Sequence, residues 1–289
     1  MEMNMRVGVL QLDEIRLGYE YSEGQGIPIV FLGGTTSTTE TWKPVLELLQ
    51  TNRPVYLVDH RGHGRSSRVA NGDYGKFVGQ VSDTRQFLEN VSGPSTLVGH
   101  SQGGIQAFYT AGTSPDLVTE LYLEDITPHF VANSRHVVSP FIAALKSVGG
   151  ELEKALAAHE KGPEMAARIA AISLGEGITF GDVRSDESLQ IMSDGVLQMD
   201  PMIFKTFFEA DSVPAFDFDE TIRGVRCPIH VAHGDPELGG LVLESELDDL
   251  RAKGCEVTST RIEGVGHSVH TDAVDRFVSD LGRFLKSSR

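Results

Sequence analysis

The chain is 289 residues long, with 40% hydrophobic and 23% charged residues, an ordinary globular balance for one large domain or a domain with an insertion. Its formal net charge of −16 repels polyanions and anionic lipid, so neither nucleic acid nor a membrane is expected as a partner. No stretch approaches the ~20 apolar residues of a membrane span. The alternating start MEMNMRVGVLQLDEIRLGYEYSEG does not read as a signal peptide. The two cysteines, Cys227 and Cys255, lie in no CxxC pair, and the expectation is a reduced, cytoplasmic protein, monomer or homodimer.

In chain order, residues 5–11 and 15–21 predict a hairpin. Pro28-Ile-Val-Phe-Leu predicts a buried strand ending at Gly33-Gly34, and residues 41–49 a helix. A second buried strand, Pro54-Val-Tyr-Leu-Val-Asp, ends at Asp59. A helix over 79–91, a strand over 95–99, a helix over 102–113 and a fourth strand, Leu121-Tyr-Leu-Glu-Asp, follow. Alternating βα units with continuously apolar strands predict an α/β fold with a mostly parallel sheet covered on both faces. From Thr127 to Gly224 no strand is evident, and helices are predicted over 141–148, 151–161, 163–174, 187–199 and 202–210. The sheet resumes at Pro228, with a helix over 244–253, a last strand over 256–262 and a closing helix over 273–285. Residues 1–126 and 225–289 therefore form the expected core, and 127–224 a helical cap insertion.

The stretch Gly99-His-Ser-Gln-Gly103 follows an apolar strand and opens a helix. At such a corner the flanking glycines permit a tight turn and lift the serine hydroxyl to the sheet edge. The helix N-terminus, through the backbone N–H of Gln102, suits a developing negative charge.

With this corner, the loop Asp59-His-Arg-Gly-His-Gly-Arg-Ser and Gly264-Val-Gly-His267, the chain resembles the α/β-hydrolase superfamily over nearly its whole length. The resemblance implies Ser101 as nucleophile and His267, between a Gly-rich loop and the last helix, as base. His270, three residues on, is expected to point away. The triad acid has three candidates. Asp235 takes the role if the loop after the strand 228–233 is short, Glu237 by strict counting, and Asp125 if the acid follows the preceding strand. The second oxyanion donor would be the backbone N–H of Thr35. Many relatives carry His-Gly in that loop, whereas this chain has Gly33-Gly34, and the hydroxyls of Thr35-Thr-Ser-Thr-Thr are candidates to brace it or face substrate. His100 is expected to pack and hydrogen-bond. Asp59, His60 and His63 belong to a structural turn, and no metal is expected.

The insertion carries Phe130, Phe141, Met165, Met192, Met199, Met202, Phe204, Phe207 and Phe208, several of which are expected to line a pocket. No dinucleotide fingerprint is present and hydrolases of this fold need no cofactor, so none is expected. The leading expectation is a serine hydrolase cleaving an ester, lactone or related carbonyl bond of a small, largely apolar molecule. The alternatives are a C–C bond hydrolase, lyase or cyclase on the same scaffold, or a ligand-binding receptor with little turnover.

Overall fold

The structure, a computed structural model, describes residues 3–74, 77–206 and 216–287. The alternating N-terminal segments pair as an antiparallel hairpin, β1 (Arg6–Gln11) with β2 (Arg16–Ser22). The wholly apolar runs become β3 (Ile29–Leu32), whose residues are all buried, and β4 (Val55–Val58). Next come β5 (Ser95–His100) and β6 (Val118–Glu124), then β7 (Ser173–Gly175) and β8 (Ile178–Thr179) inside the insertion. Beyond it lie β9 (Ile229–His233) and β10 (Val257–Arg261).

The main sheet has the order β1-β2-β4-β3-β5-β6-β9-β10, and from β4 onward every neighbouring pair is parallel. Two apolar cores follow from burying both of its faces. One gathers Val30, Leu97, Phe108 and Leu123, the other Phe31, Trp42, Tyr122 and Phe277. The chain reverses strand order between β3–β4 and β5–β6, so the C-terminal ends of these strands frame the crevice where such sheets hold their ligands.

The segment between β6 and β9 departs from expectation in two places. The two helices predicted over 141–148 and 151–161 are one helix, Pro140–Ala158, which runs through Gly149-Gly150. Gly149 packs against the Phe204 side chain, so this glycine serves close approach and does not end the helix. The helix predicted over 163–174 stops at Ala170 and gives way to the β7–β8 hairpin. Gly175, Glu176 and Gly177 all take positive φ (102°, 52° and 81°), and that turn closes the hairpin. The helix predicted over 202–210 is described as Met202–Thr206; Phe207, Phe208 and the rest of that prediction lie outside the described residues.

A third apolar core joins the insertion to the sheet's upper edge. Leu145, Leu152, Met165, Ile169, Met192, Met199 and Phe204 pack there with Tyr74, Ile105, Tyr109 and Leu241. The methionines singled out in the insertion are thus core residues, except Met202, which is exposed. Among the described residues no helix is long and apolar enough to cross a membrane.

Candidate active site

Strand pairing explains why two distant residues share one corner. In the parallel ladder of β5 with β6, His100 sits opposite Glu124. The residues that follow, Ser101 and Asp125, therefore leave neighbouring strand ends, and Ser101 N donates to Glu124 O at 3.2 Å. Both lie in the left-handed region, Ser101 at φ 51° and Asp125 at φ 48°. Non-glycine residues rarely adopt it, and such local strain is held by the surrounding hydrogen bonds. Ser101 also precedes helix Gln102–Thr113, whose first-turn N–H groups face the corner.

The loop after β3 lies against this serine. Gly103 N donates to Gly33 O at 3.0 Å. A Cβ on Gly34 would come within 2.7 Å of His100 Nδ1 and 3.4 Å of Ser101 Cβ, so the loop approaches closely only because it is glycine. Its bracing comes from outside the threonine run. His60 donates from Nε2 to Gly33 O and His63 from Nε2 to Thr35 O, each at 2.7 Å. Burial pushes both rings down, His60 to about 3, so both are neutral. Asp59 completes this turn, accepting from Thr39 N at 2.8 Å and Arg65 N at 2.9 Å. These three residues are committed to holding loops.

His267 stands in the segment between β10 and the closing helix, Val274–Ser287, and is buried. Its Nδ1 donates to Asp125 Oδ2 at 2.7 Å. Asp125 also accepts from Gly234 N at 3.0 Å and Leu241 N at 2.9 Å, both in the loop after β9. Burial pushes the Asp125 carboxyl up, while these two backbone donors and the nearby His233 and Arg135 push it back down. Burial also pushes the His267 ring down, to about 3, so the resting imidazole is neutral. Its other nitrogen, Nε2, is buried with no hydrogen-bond partner among the described residues. That is the form and the free edge a general base requires.

Asp235, one of the three candidate acids, does not meet His267 among the described hydrogen bonds. Its carboxylate accepts from Arg261 Nε at 2.7 Å and Gly264 N at 2.6 Å, and so braces the loop that leads to His267. Glu237 is exposed on the rim of a cavity. The loop after β9 thus supplies backbone donors to Asp125, with its own acid turned outward. Gly239 at φ 93° and Gly240 turn this loop back, which brings Leu241 N to Asp125.

Sequence reasoning missed a second layer. Glu124 Oε1 accepts from His270 N and His270 Nδ1, both at 2.8 Å, and His270 Nε2 meets Thr41 Oγ1 at 3.1 Å. His270 packs at a tilt against Trp42, with ring centroids 4.4 Å apart. His100 donates from Nε2 to His267 O at 3.1 Å. His100, Glu124 and His270 each bring a ligand-type atom within 4.8 Å of the others, all buried. A cation there would have to displace the Glu124–His270 bonds, so the cluster reads as a clamp on the His267 turn. The adjacency of two acids in Glu124-Asp125 was the available signal.

Above the corner, Phe141 from the insertion packs edge-on against the His267 ring at 4.6 Å. A cavity of about 430 Å³ opens beside it, between the insertion and the loop after β9. Phe130, Phe141, Leu174, Ile178 and Leu241 line it, with Arg135, Ser139, Glu176 and Glu237 as polar members.

A strained serine at a strand–helix corner and a buried acid–histidine pair sit at the switch point of a parallel sheet. The alpha/beta hydrolase family model matches residues 29–280. The chain belongs to the alpha/beta hydrolase family. This alpha/beta hydrolase is 24% identical over 277 residues to a pimeloyl-(acyl-carrier protein) methyl ester esterase of Aliivibrio salmonicida, across 93% of this chain and 95% of that protein. It is 30% identical over 130 residues to an esterase of Mycobacterium tuberculosis, covering 45% of this chain and 43% of that one. A carboxylesterase structure from Nitrososphaera gargenis has the same fold, with a TM-score of 0.74 at 18% identity over 97% of this chain and 98% of that one.

Proposed function

We propose that this alpha/beta hydrolase is a serine hydrolase that cleaves ester bonds of small acyl substrates through an acyl-enzyme. The observation that carries the reading is the 2.7 Å bond from His267 Nδ1 to Asp125, which leaves Nε2 unprotonated and unpartnered beside the Ser101 corner. Esterase activity in relatives of similar length supports the reaction class.

In this mechanism His267 Nε2 takes the Ser101 proton as Oγ attacks the carbonyl carbon. Asp125 fixes the imidazole tautomer and stabilises the imidazolium that forms. Backbone N–H groups of Thr35 and Gln102 hold the oxyanion of the tetrahedral intermediate. His267 then returns the proton to the leaving alkoxide, the C–O bond breaks, and an acyl-Ser101 ester remains. Water, deprotonated by His267, attacks this ester, and Ser101 regains its proton as the acid departs. Residues 127–224 act as the cap that covers the site, and the adjoining cavity is the entry for the acyl chain.

Fluorophosphonate labelling tests this assignment. Label should map to Ser101, vanish in Ser101→Ala and drop sharply in His267→Ala. Absence of label on the wild-type protein sinks it.

A further inference from the structure

The insertion sends the guanidinium of Arg184 down to the site. Arg184 follows the short helix Phe180–Val183, and its side chain is 11% exposed. It lines the same small cavity as His267, together with Phe141, Phe180 and Leu238. Arginine carries a permanent charge and five N–H donors in a planar fork. Here the fork spends its bonds on neutral acceptors. Nε donates to Ser188 Oγ at 2.9 Å, Nη2 to Thr271 Oγ1 at 3.1 Å, and Nη1 to the thioether of Met192 at 3.1 Å. A thioether is a weak acceptor. The carboxylate paired with it, Asp272 Oδ2, stands 3.8 Å from Nε, beyond hydrogen-bond range, and Asp272 Oδ1 is buried with no hydrogen-bond partner among the described residues.

Arg61 in the same protein marks the contrast. It grips Asp83 with two bonds, Nε to Oδ2 at 2.7 Å and Nη2 to Oδ1 at 2.8 Å. That bidentate match is how a desolvated guanidinium is ordinarily satisfied. Arg184 lacks it, and one N–H on each of Nη1 and Nη2 is left over among the described hydrogen bonds. Asp272 lies on the Nε side, whereas the N–H groups left over are on Nη1 and Nη2.

We propose that Arg184 receives a carboxylate carried by the substrate, so that the preferred substrates are half-acid esters, with a free carboxylate at one end of the acyl chain and the scissile ester at the other. This rests on the hydrolase reading of Ser101 and His267 and names the charge of what they cleave. The larger cavity shares Phe141, Leu174, Val183, Leu238 and Gly239 with the small one, so the chain between the two ends would lie along apolar walls. A formal charge of −16 repels anions at long range, so the selectivity is local and is not produced by steering.

The test compares monoethyl glutarate with ethyl valerate, matched in acyl length, by pH-stat kinetics on the full-length protein. The wild-type kcat/KM ratio should favour the half-acid at least about tenfold. In Arg184→Met that ratio should fall by at least about tenfold, to near one. The double variant Arg184→Met/Asp272→Asn, which removes the orphaned acid and so guards against misfolding, should show the same fall. A wild-type ratio near one, with ethyl valerate turned over, overturns the carboxylate subsite and leaves the hydrolase intact. A ratio that survives in both variants overturns it as well. Turnover of neither ester together with no fluorophosphonate label removes the hydrolase reading, and the subsite falls with it.

Discussion

Asp125 and His267, 142 residues apart in the chain, meet through a 2.7 Å hydrogen bond at the C-terminal edge of the sheet. Asp125 is buried and accepts two further backbone N–H bonds, whereas Asp235 and Glu237 do not touch the imidazole. Replacing Asp125 by Asn puts an amide where the imidazole needs an acceptor and favours the wrong tautomer. The expected loss in kcat is about 10³–10⁴-fold. Asp235→Asn loosens the Gly264 loop and should cost less than about tenfold, and Glu237→Gln less than about threefold. Steady-state kinetics on the three variants decides; equal losses would contradict the assignment.

The approach of Gly34 to the serine corner gives a second expectation. A methyl group there meets His100 Nδ1 at 2.7 Å and Ser101 Cβ at 3.4 Å. Gly34→Ala must push the loop away from Ser101, and the Thr35 N–H moves with it. Losing one oxyanion donor costs about 10²–10³ in kcat. Gly34 is itself buried, so the thermal midpoint should fall too, and kcat is compared on the folded protein. A variant with unchanged kcat would remove Thr35 from the oxyanion hole.

The strands, the serine corner and the position of His267 were legible because each depends on local pattern: continuous apolar runs, a Gly-x-Ser-x-Gly turn, a Gly-rich loop before a helix. The pairing of His267 with Asp125, and not with Asp235, was not. It depends on the register that sets Glu124 beside His100, and on a glycine turn that folds residues 239–241 back under Asp125. Both are relations between segments far apart in sequence. The bracing of the Gly33–Thr35 loop was hidden for the same reason, since His60 and His63 sit on the neighbouring strand's loop. The β7–β8 hairpin was missed although its Gly-Glu-Gly turn was in plain view, because a helical stripe ran directly into it.

Glu124 should behave as a positioning residue. Its Oε1 holds both the backbone N and the ring of His270, three residues after His267. Removing the carboxylate frees that turn without touching substrate. Glu124→Ala is expected to lower kcat by about 10²-fold with KM nearly unchanged, since misplacement by about 1 Å costs that much. Glu124→Gln keeps an acceptor for His270 N and should recover most of the loss. Burial pushes the Glu124 carboxyl to about 7, so the Ala and Gln variants should also lose any limb of the pH–rate profile near that value. Equal defects in Ala and Gln, with KM raised in both, would refute the clamp.

His60 links the same loop to acid stability. Burial holds its folded value at about 3, while an unfolded histidine titrates near about 6.5. Between these values the unfolded chain binds a proton that the folded chain refuses. Stability therefore rises with pH across this window and is lost as pH falls below about 6.5. One such group contributes a loss of about 2 kcal/mol between pH 7 and pH 5. In His60→Gln the side chain no longer titrates, although the variant is less stable at pH 7 for want of the ring's packing. Urea denaturation at both pH values should show the drop from pH 7 to pH 5 smaller in His60→Gln by about that amount. Parallel pH dependence in the two proteins would mean that His60 takes up its proton in the folded state, and the neutral brace on Gly33 would have to be abandoned.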